Sequence, residues 1–296
     1  MRSLIPLLAI LTTSCAFRIQ LTEQDAVAGY TDAIARNKFL PLAAAAYSGV
    51  PGNCLANAFQ NAKLKRQLNV KCDLFHSDTC SGYTALLNGD QAIVLSFRGT
   101  DAFLQLITES NESIFEAKID WPAGGKVSKY FYNAFWSVWT GGMKDDFLAL
   151  RNAYPTYKVW VAGHSLGGSM ASLAASYIVS QKLADPNNVT LYTFGQPRTG
   201  DKNWASAHDN QQFTSYRVTH WRDMVPHVPP VGMESYAHHK TEVFYHSGMK
   251  SGSKFKICNA DEDYTCSDGL TFTMSISDHL HYFEKDVSDF GARGCK

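Results

Sequence analysis

The chain has no extended basic run, no Cys-x-x-Cys pair, no Gly-Lys-Ser/Thr phosphate loop, no internal repeat and no Pro/Ser linker. Each absence removes a class of function. Lysine and arginine number 27 and are matched by 27 acids, which leaves no electrostatic footprint for nucleic acid and no strong attraction to anionic membranes. Lack of Cys-x-x-Cys argues against a structural zinc site, and lack of Gly-Lys-Ser/Thr against a Walker-type nucleotide site. After residue 16 no apolar run approaches the ~20 residues of a membrane-spanning helix. What remains is a chain with 45% hydrophobic and 18% charged residues, a composition that buries a large core.

The N-terminus reads as a secretory signal. Arg2 precedes an apolar run from Leu4 to Leu11, and Ser14-Cys15-Ala16 offers small residues for cleavage after Ala16. The run is too short for an anchor. Residues 17–296 then read as one domain with 26 bases against 27 acids, a net charge of −1. Six cysteines remain, and an even number on a secretory route implies three disulfides. Six cysteines allow fifteen pairings, which sequence alone does not settle; close pairs such as Cys72–Cys80 and Cys258–Cys266 are plausible, and Cys54–Cys295 would then tie the N-terminal region to the C-terminus. Asn111 and Asn188 open glycosylation sequons.

Along the chain, Thr22–Tyr47 is Ala-rich and helical in character until Gly49 and Pro51 stop it. Strand-like runs follow at Gln91–Phe97, Tyr157–Ala162, Val189–Phe194, Ser215–Trp221 and Thr241–Tyr245. Helical composition fills Asn133–Ala153, interrupted at Gly141-Gly142, and Leu166–Lys182. Apolar strands alternating with helices predict an α/β fold, a mainly parallel sheet with helices on both faces.

Between the predicted strand at Tyr157–Ala162 and the helix from Leu166 lies Gly163-His164-Ser165-Leu166-Gly167, a G-x-S-x-G elbow. With Gly and Ser each near 7% of residues, chance gives about one such pentapeptide per ten chains of this length. The strand before it and the helix after it supply the specificity. The turn is so tight that side chains two positions either side of the serine would collide, so both are glycine. Ser165 then sits at a helix N-terminus, where peptide dipoles favour developing negative charge.

In an elbow hydrolase the acid and then a histidine follow the serine. Asp223 stands just past the predicted strand Ser215–Trp221. Among its rivals, Asp185 precedes Pro186 in a connecting loop and Asp201 follows Gly200 as a helix cap; Asp209 is the third. Of the ten histidines, His227 shares the Pro-rich loop of the acid, and His238, His239 and His246 lie in or beside a predicted strand. His279 and His281 stand near the end, two apart, and spacing does not choose between them.

Five segments carry a resemblance to a family. They are Val94–Thr100 (VLSFRGT), Tyr157–Gly168 (YKVWVAGHSLGG), Tyr192–Gly200 (YTFGQPRTG), Arg222–Pro230 (RDMVPHVPP) and Asp278–Phe283 (DHLHYF). In this order, from about residue 90 onward, they resemble the fungal-type, or class 3, lipases of the α/β-hydrolase superfamily. The resemblance implies Ser165 as nucleophile, Asp223 as acid and His279 as base, since the family pattern is His-Leu-x-Tyr-Phe and His281 falls on its variable position. It implies Thr100 and Leu166 as oxyanion donors, and no metal or organic cofactor. A lid is expected over 101–116, with Phe103, Leu104, Leu106 and Ile107 as its apolar face. The chain departs from the family where Val127-Ser128-Lys129-Tyr130-Phe131 replaces a Val-His-x-Gly-Phe pattern, and where Asp101-Ala-Phe replaces an Asn-Trp pair. These departures bear on lid movement and substrate choice and leave the triad untouched.

The expected function is secreted carboxylic-ester hydrolysis, with triacylglycerol as substrate at an oil–water or membrane interface. Phospholipase A1 and feruloyl esterase specificities are the enzyme alternatives, and a secreted lipid-binding protein with a dead site is the alternative of another class.

Overall fold

Alternate residues of the central strands feed two separate cores. In Ala92–Phe97, Ile93, Leu95 and Phe97 join one buried cluster while Ala92 and Val94 join the other. In Lys158–His164, Val159 and Val161 go with the first, Trp160 and Ala162 with the second. Successive side chains point to opposite faces of a strand, so strands apolar on both faces need a covering layer on each side.

The computed structural model describes residues 29–72, 79–108 and 113–296. The expected signal at 1–16 and the Asn111 sequon lie outside them; Asn188 ends a half-buried turn before a strand. In chain order the strands of the two larger sheets are β1 (Ala62–Lys71), β2 (Thr79–Leu87), β3 (Ala92–Phe97), β4 (Lys118–Asp120), β5 (Lys126–Ser128) and β6 (Lys158–His164). They continue as β7 (Val189–Phe194), β8 (Gly200–Asp201), β9 (Thr214–His220), β10 (Tyr236–Ala237), β11 (Glu242–Tyr245) and β12 (Lys256–Cys258). The main sheet runs β1-β2-β3-β6-β7-β9-β11-β12, parallel from β3 to β11 and antiparallel at its margins. A small second sheet runs β10-β8-β5-β4. This is the α/β-hydrolase fold.

The helices used below are α1 (Leu40–Ala45), α2 (Pro51–Ala58), α3 (Asp101–Thr108), α4 (Lys129–Val138), α5 (Lys144–Ala153), α6 (Leu166–Ser180), α7 (Lys202–Asn210), α8 (Ile276–Leu280) and α9 (Val287–Ala292). The first core packs Phe131 and Phe135 of α4, Phe147 of α5 and Leu173 of α6 onto the sheet; the second packs Leu40 and Leu42 of α1 and Phe290 of α9 onto its other face. The predicted helix over 133–153 is two helices, α4 and α5, joined by a wider turn in which Gly142 adopts φ +134°. Gly142 lies in the positive-φ region that glycine enters freely.

The antiparallel strands β1 and β2 are absent from the sequence reading. β1 is an edge strand of composition AKLKRQLNVK, and its lysines and arginine blunt an open edge against further pairing. That polarity hides the alternation by which a strand is read. Three disulfides fasten the margins: Cys72–Cys80 joins the end of β1 to β2, Cys258–Cys266 closes the loop after β12, and Cys54–Cys295 ties α2 to the C-terminus. Among the described residues, no helix is long and apolar enough to cross a membrane.

Candidate active site

β6 delivers the elbow. It ends at His164, α6 begins at Leu166, and Ser165 between them holds φ 61°, ψ −132°. This is a sparsely populated backbone region for a residue with a side chain, of the kind that costs about 1–3 kcal/mol and persists where surrounding structure enforces it. The two flanking glycines are what enforcement requires. A Cβ on Gly163 would fall 2.0 Å from the carbonyl oxygen of Gly167, and one on Gly167 would fall 2.2 Å from that of Phe97. The second contact also seats α6 against the end of β3, which brings the Arg98-Gly99-Thr100 loop to the serine. Gly99 fits there because a Cβ would lie 2.8 Å from Ser165 Cβ. Arg98 anchors the loop by donating from Nη2 to the Thr79 carbonyl at 2.5 Å and to Thr79 Oγ1 at 2.9 Å.

Asp223 follows β9. Its backbone bridges to Ser275, and Ser275 N–H donates to the Arg222 carbonyl at 3.0 Å. The pairing fastens the segment leading into α8, and α8 presents His279. His279 Nδ1 lies 2.9 and 3.0 Å from the two carboxylate oxygens of Asp223. Asp223 also accepts from Tyr282 Oη at 2.6 Å and from the Val225 N–H at 2.8 Å. Burial raises the Asp223 carboxyl, but the His279 charge and these donors outweigh it and hold the group below the usual carboxylate range. Burial, reinforced by the Asp223 charge, pushes the Tyr282 hydroxyl well up, so it remains a donor.

Ser165, Asp223 and His279 are 2%, 1% and 0% exposed. Among the described residues, Ser165 Oγ and His279 Nε2 are buried without a hydrogen-bond partner. Buried polar atoms are nearly always paired. Among the buried side-chain atoms without a partner, these two are the ones that a proton transfer from serine to histidine would join.

Thr100 is buried, and its Oγ1 accepts the Phe103 N–H at 3.0 Å. Leu166 is buried at the start of α6. Of the 101–116 segment expected as a lid, Asp101–Thr108 form α3, residues 109–112 lie outside the described residues and Ser113–Glu116 make a separate helical turn; in α3, Phe103 is fully buried against the rings of Tyr130 and Phe131 and Ile107 is buried in the same core. Leu104 packs against that core, and the Leu106 side chain lies outside the described part. Ser128, where the family pattern has a different residue, caps α4 by accepting the Tyr130 N–H and donates to the Ile114 carbonyl at 2.7 Å.

The other candidates fall elsewhere. Asp185 and Asp201 cap short helical segments, accepting the backbone N–H groups of Asn187 and Trp204. Asp209 sits at the end of α7 and accepts the Lys240 N–H. His281 is half-buried, with Nδ1 on the Ser277 carbonyl. His227 contacts Asp268, and His238 and His239 are buried on backbone carbonyls. Sequence reasoning missed Tyr282 and Gly195. Tyr282 stood in the quoted Asp278–Phe283 segment, one position past His281. Gly195 holds φ +58°, and a Cβ there would lie 2.7 Å from Asp223 Oδ2 and 2.8 Å from His279 Nδ1.

Residues 94–233 match the family model described as lipase (class 3). The chain is 33% identical to Lipase ZK262.3 of Caenorhabditis elegans, over 90% of this chain and 83% of that one. It is 31% identical to secreted mono- and diacylglycerol lipase 1 of Fusarium solani, over 90% of this chain and 80% of that one. It spans about half the length (52%) of the Rhizopus lipases that it matches. The solved structure of Rhizomucor miehei triacylglyceride lipase superposes with a TM-score of 0.75 at 25% identity, over 88% of this chain and 97% of that one.

Proposed function

The chain belongs to the class 3 lipase family of serine ester hydrolases, and on that footing we propose that it hydrolyses acylglycerols, triacylglycerol foremost, through an acyl-enzyme on Ser165. The observation that carries the chemistry is the buried pairing of His279 Nδ1 with Asp223, which leaves Nε2 and the Ser165 hydroxyl as unpartnered groups. The Asp223 carboxylate fixes the proton on His279 Nδ1, so the Nε2 lone pair is available to take the serine proton as Oγ attacks the ester carbonyl. The same carboxylate stabilises the imidazolium that forms. The Leu166 and Thr100 N–H groups hold the oxyanion, helped by the N-terminal dipole of α6; one such donor is worth about 3 kcal/mol in the transition state. His279 then returns the proton to the leaving alkoxide, and water releases the fatty acid by the same steps.

The glyceride reading is supported by the acylglycerol and triacylglyceride lipases that the chain resembles. It is supported also by exposed apolar side chains beside the site. Phe272, Met274 and Ile276 are 67%, 80% and 41% exposed on the segment leading to His279, and Trp221, 37% exposed, stands two residues before Asp223. These groups suit adsorption to a lipid surface. α3 acts as a lid whose apolar face passes from protein core to lipid on opening, at about 25 cal/mol per Å2 of apolar surface kept from water. Secretion with removal of residues 1–16 fits three disulfides, which persist in oxidising compartments.

Titration with an organophosphonate, followed by a rate panel of triolein, tributyrin, phosphatidylcholine and methyl ferulate, tests the proposal. Stoichiometric labelling at Ser165 with highest turnover on the glycerides is expected. Absence of label refutes the enzyme chemistry; label with a preference for phosphatidylcholine or ferulate refutes the substrate.

A further inference from the structure

The residue before the nucleophile makes contacts that the triad does not require. His164 closes β6 and is buried, with its ring stacked on that of His279 at a centroid distance of 4.6 Å and an interplanar angle of 25°. Its Nε2 lies 2.8 Å from the His279 carbonyl oxygen, and its Nδ1 lies 2.7 Å from Tyr47 Oη. A carbonyl oxygen only accepts, so Nε2 carries the proton and Nδ1 offers its lone pair to the Tyr47 hydroxyl. Tyr47, two residues past α1, accepts in turn from the Gly99 N–H at 3.1 Å. One directed path therefore runs Gly99 N–H to Tyr47 O–H to His164 Nδ1, then from His164 Nε2–H to the backbone of His279.

We propose that His164 and Tyr47 are positioning residues that tie the oxyanion loop and the base to the strand carrying the nucleophile. The inference rests on the acyl-transfer reading above. Three separate segments must meet at Ser165: Gly99-Thr100 after β3, His279 on α8 and the elbow itself. Each reaches the site from its own loop, and His164 is the residue bonded toward both of the others. The role needs a neutral imidazole, because a second cation stacked on His279 would oppose the imidazolium formed there during proton transfer. Burial first, and the His279 charge second, push His164 down to about 3, which keeps it neutral near neutral pH. The Tyr282 ring, edge-on to His164 at 5.8 Å, closes the other side.

The test uses the whole chain with three substitutions: Tyr47→Phe, His164→Leu and His164→Gln. Active sites are counted with an organophosphonate, and kcat and KM are measured per titrated site on a water-soluble short-chain ester. A residue that merely supports the fold lowers the number of titratable sites and leaves turnover per site alone. We expect Tyr47→Phe and His164→Leu to lower kcat per site by about tenfold, or about 1.4 kcal/mol, with KM within about twofold. Glutamine keeps an N–H donor at similar reach and cannot ionise near neutral pH, so His164→Gln recovers most of the loss. Wild-type kcat per site in Tyr47→Phe, or a glutamine variant as poor as leucine, overturns the proposal while leaving the hydrolase reading intact. Failure of the wild type itself to take up label overturns both.

Discussion

Gly195 offers a sharp test of the site geometry, because the substitution adds one methyl group and removes no group assigned to the chemistry. Gly195 follows β7 and its N–H donates to the Val218 carbonyl at 3.1 Å. A Cβ added there would lie 2.7 Å from Asp223 Oδ2 and 2.8 and 2.9 Å from two atoms of the His279 ring. Ordinary van der Waals contact begins near 3.4 Å, so the carboxylate–imidazole pair must retreat by about 0.5–0.7 Å. Misplacement by about 1 Å costs on the order of 100-fold in rate, which puts a retreat of this size in Gly195→Ala at a loss of about 10- to 25-fold in kcat. The backbone at φ +58° adds about 1–2 kcal/mol of destabilisation for any residue with a Cβ. Gly232, at φ +83° with nothing within 4 Å of its Cβ position, supplies the control: Gly232→Ala carries the same kind of backbone strain and no collision. Kcat per organophosphonate-titrated site and the unfolding midpoint in urea separate the two effects. Both variants lose stability, and only Gly195→Ala loses turnover. Turnover per site within threefold of wild type in Gly195→Ala would refute the placement of the Asp223–His279 pair against that glycine.

Three further expectations follow from other parts of the molecule. Burial, then the neighbouring Asp209, push the Asp261 carboxyl up to about 6; a carboxyl raised in the folded state contributes stability below its unfolded pKa and loses it as pH rises through 6. Asp261→Asn should therefore raise the thermal midpoint at pH 7.5 but not near pH 4, and an equal gain at both would count against the pair. Phe272→Asn with Met274→Asn should leave hydrolysis of a soluble ester unchanged and lower the initial rate on a triolein emulsion about tenfold, since each side chain immersed in lipid contributes about 1.5–3 kcal/mol at most; equal rates on the emulsion would remove this segment from the lipid contact. Replacing Cys54 and Cys295 together by alanine opens a crosslink across 241 residues, which loop-entropy arguments value at about 5 kcal/mol. Chemical denaturation should show that scale of loss, with the remaining activity per titrated site unchanged.

Much of the fold was legible in the sequence because burial leaves a local pattern. β3, β6, β7, β9 and β11 lie within one or two residues of the apolar runs that predicted them, as expected for strands covered on both faces. The elbow was legible for a stricter reason: a turn with backbone atoms 2.0–2.2 Å from any added Cβ admits only glycine at two fixed positions around the serine. The edge strand β1 escaped because its function as an edge requires charge where an interior strand shows alternation. Residue spacing could order serine, acid and histidine but not choose between His279 and His281, and that choice came from family resemblance. In the structure His279 meets Asp223, while His281 turns back to the Ser277 carbonyl.

Tertiary structure alone decided what surrounds that pair. Tyr282 reaches Asp223 across 59 positions, and Tyr47 reaches His164 across 117. Such contacts arise where loops from the carboxyl ends of several parallel strands converge, and neither partner needs any local periodicity to be there. The sequence by itself determined the serine elbow and the sheet that carries it, because both are written in short-range rules of sterics and burial. The tertiary structure determined which donors surround the Asp223–His279 pair and why position 195 is glycine, because contacts between distant segments are set by how the loops close.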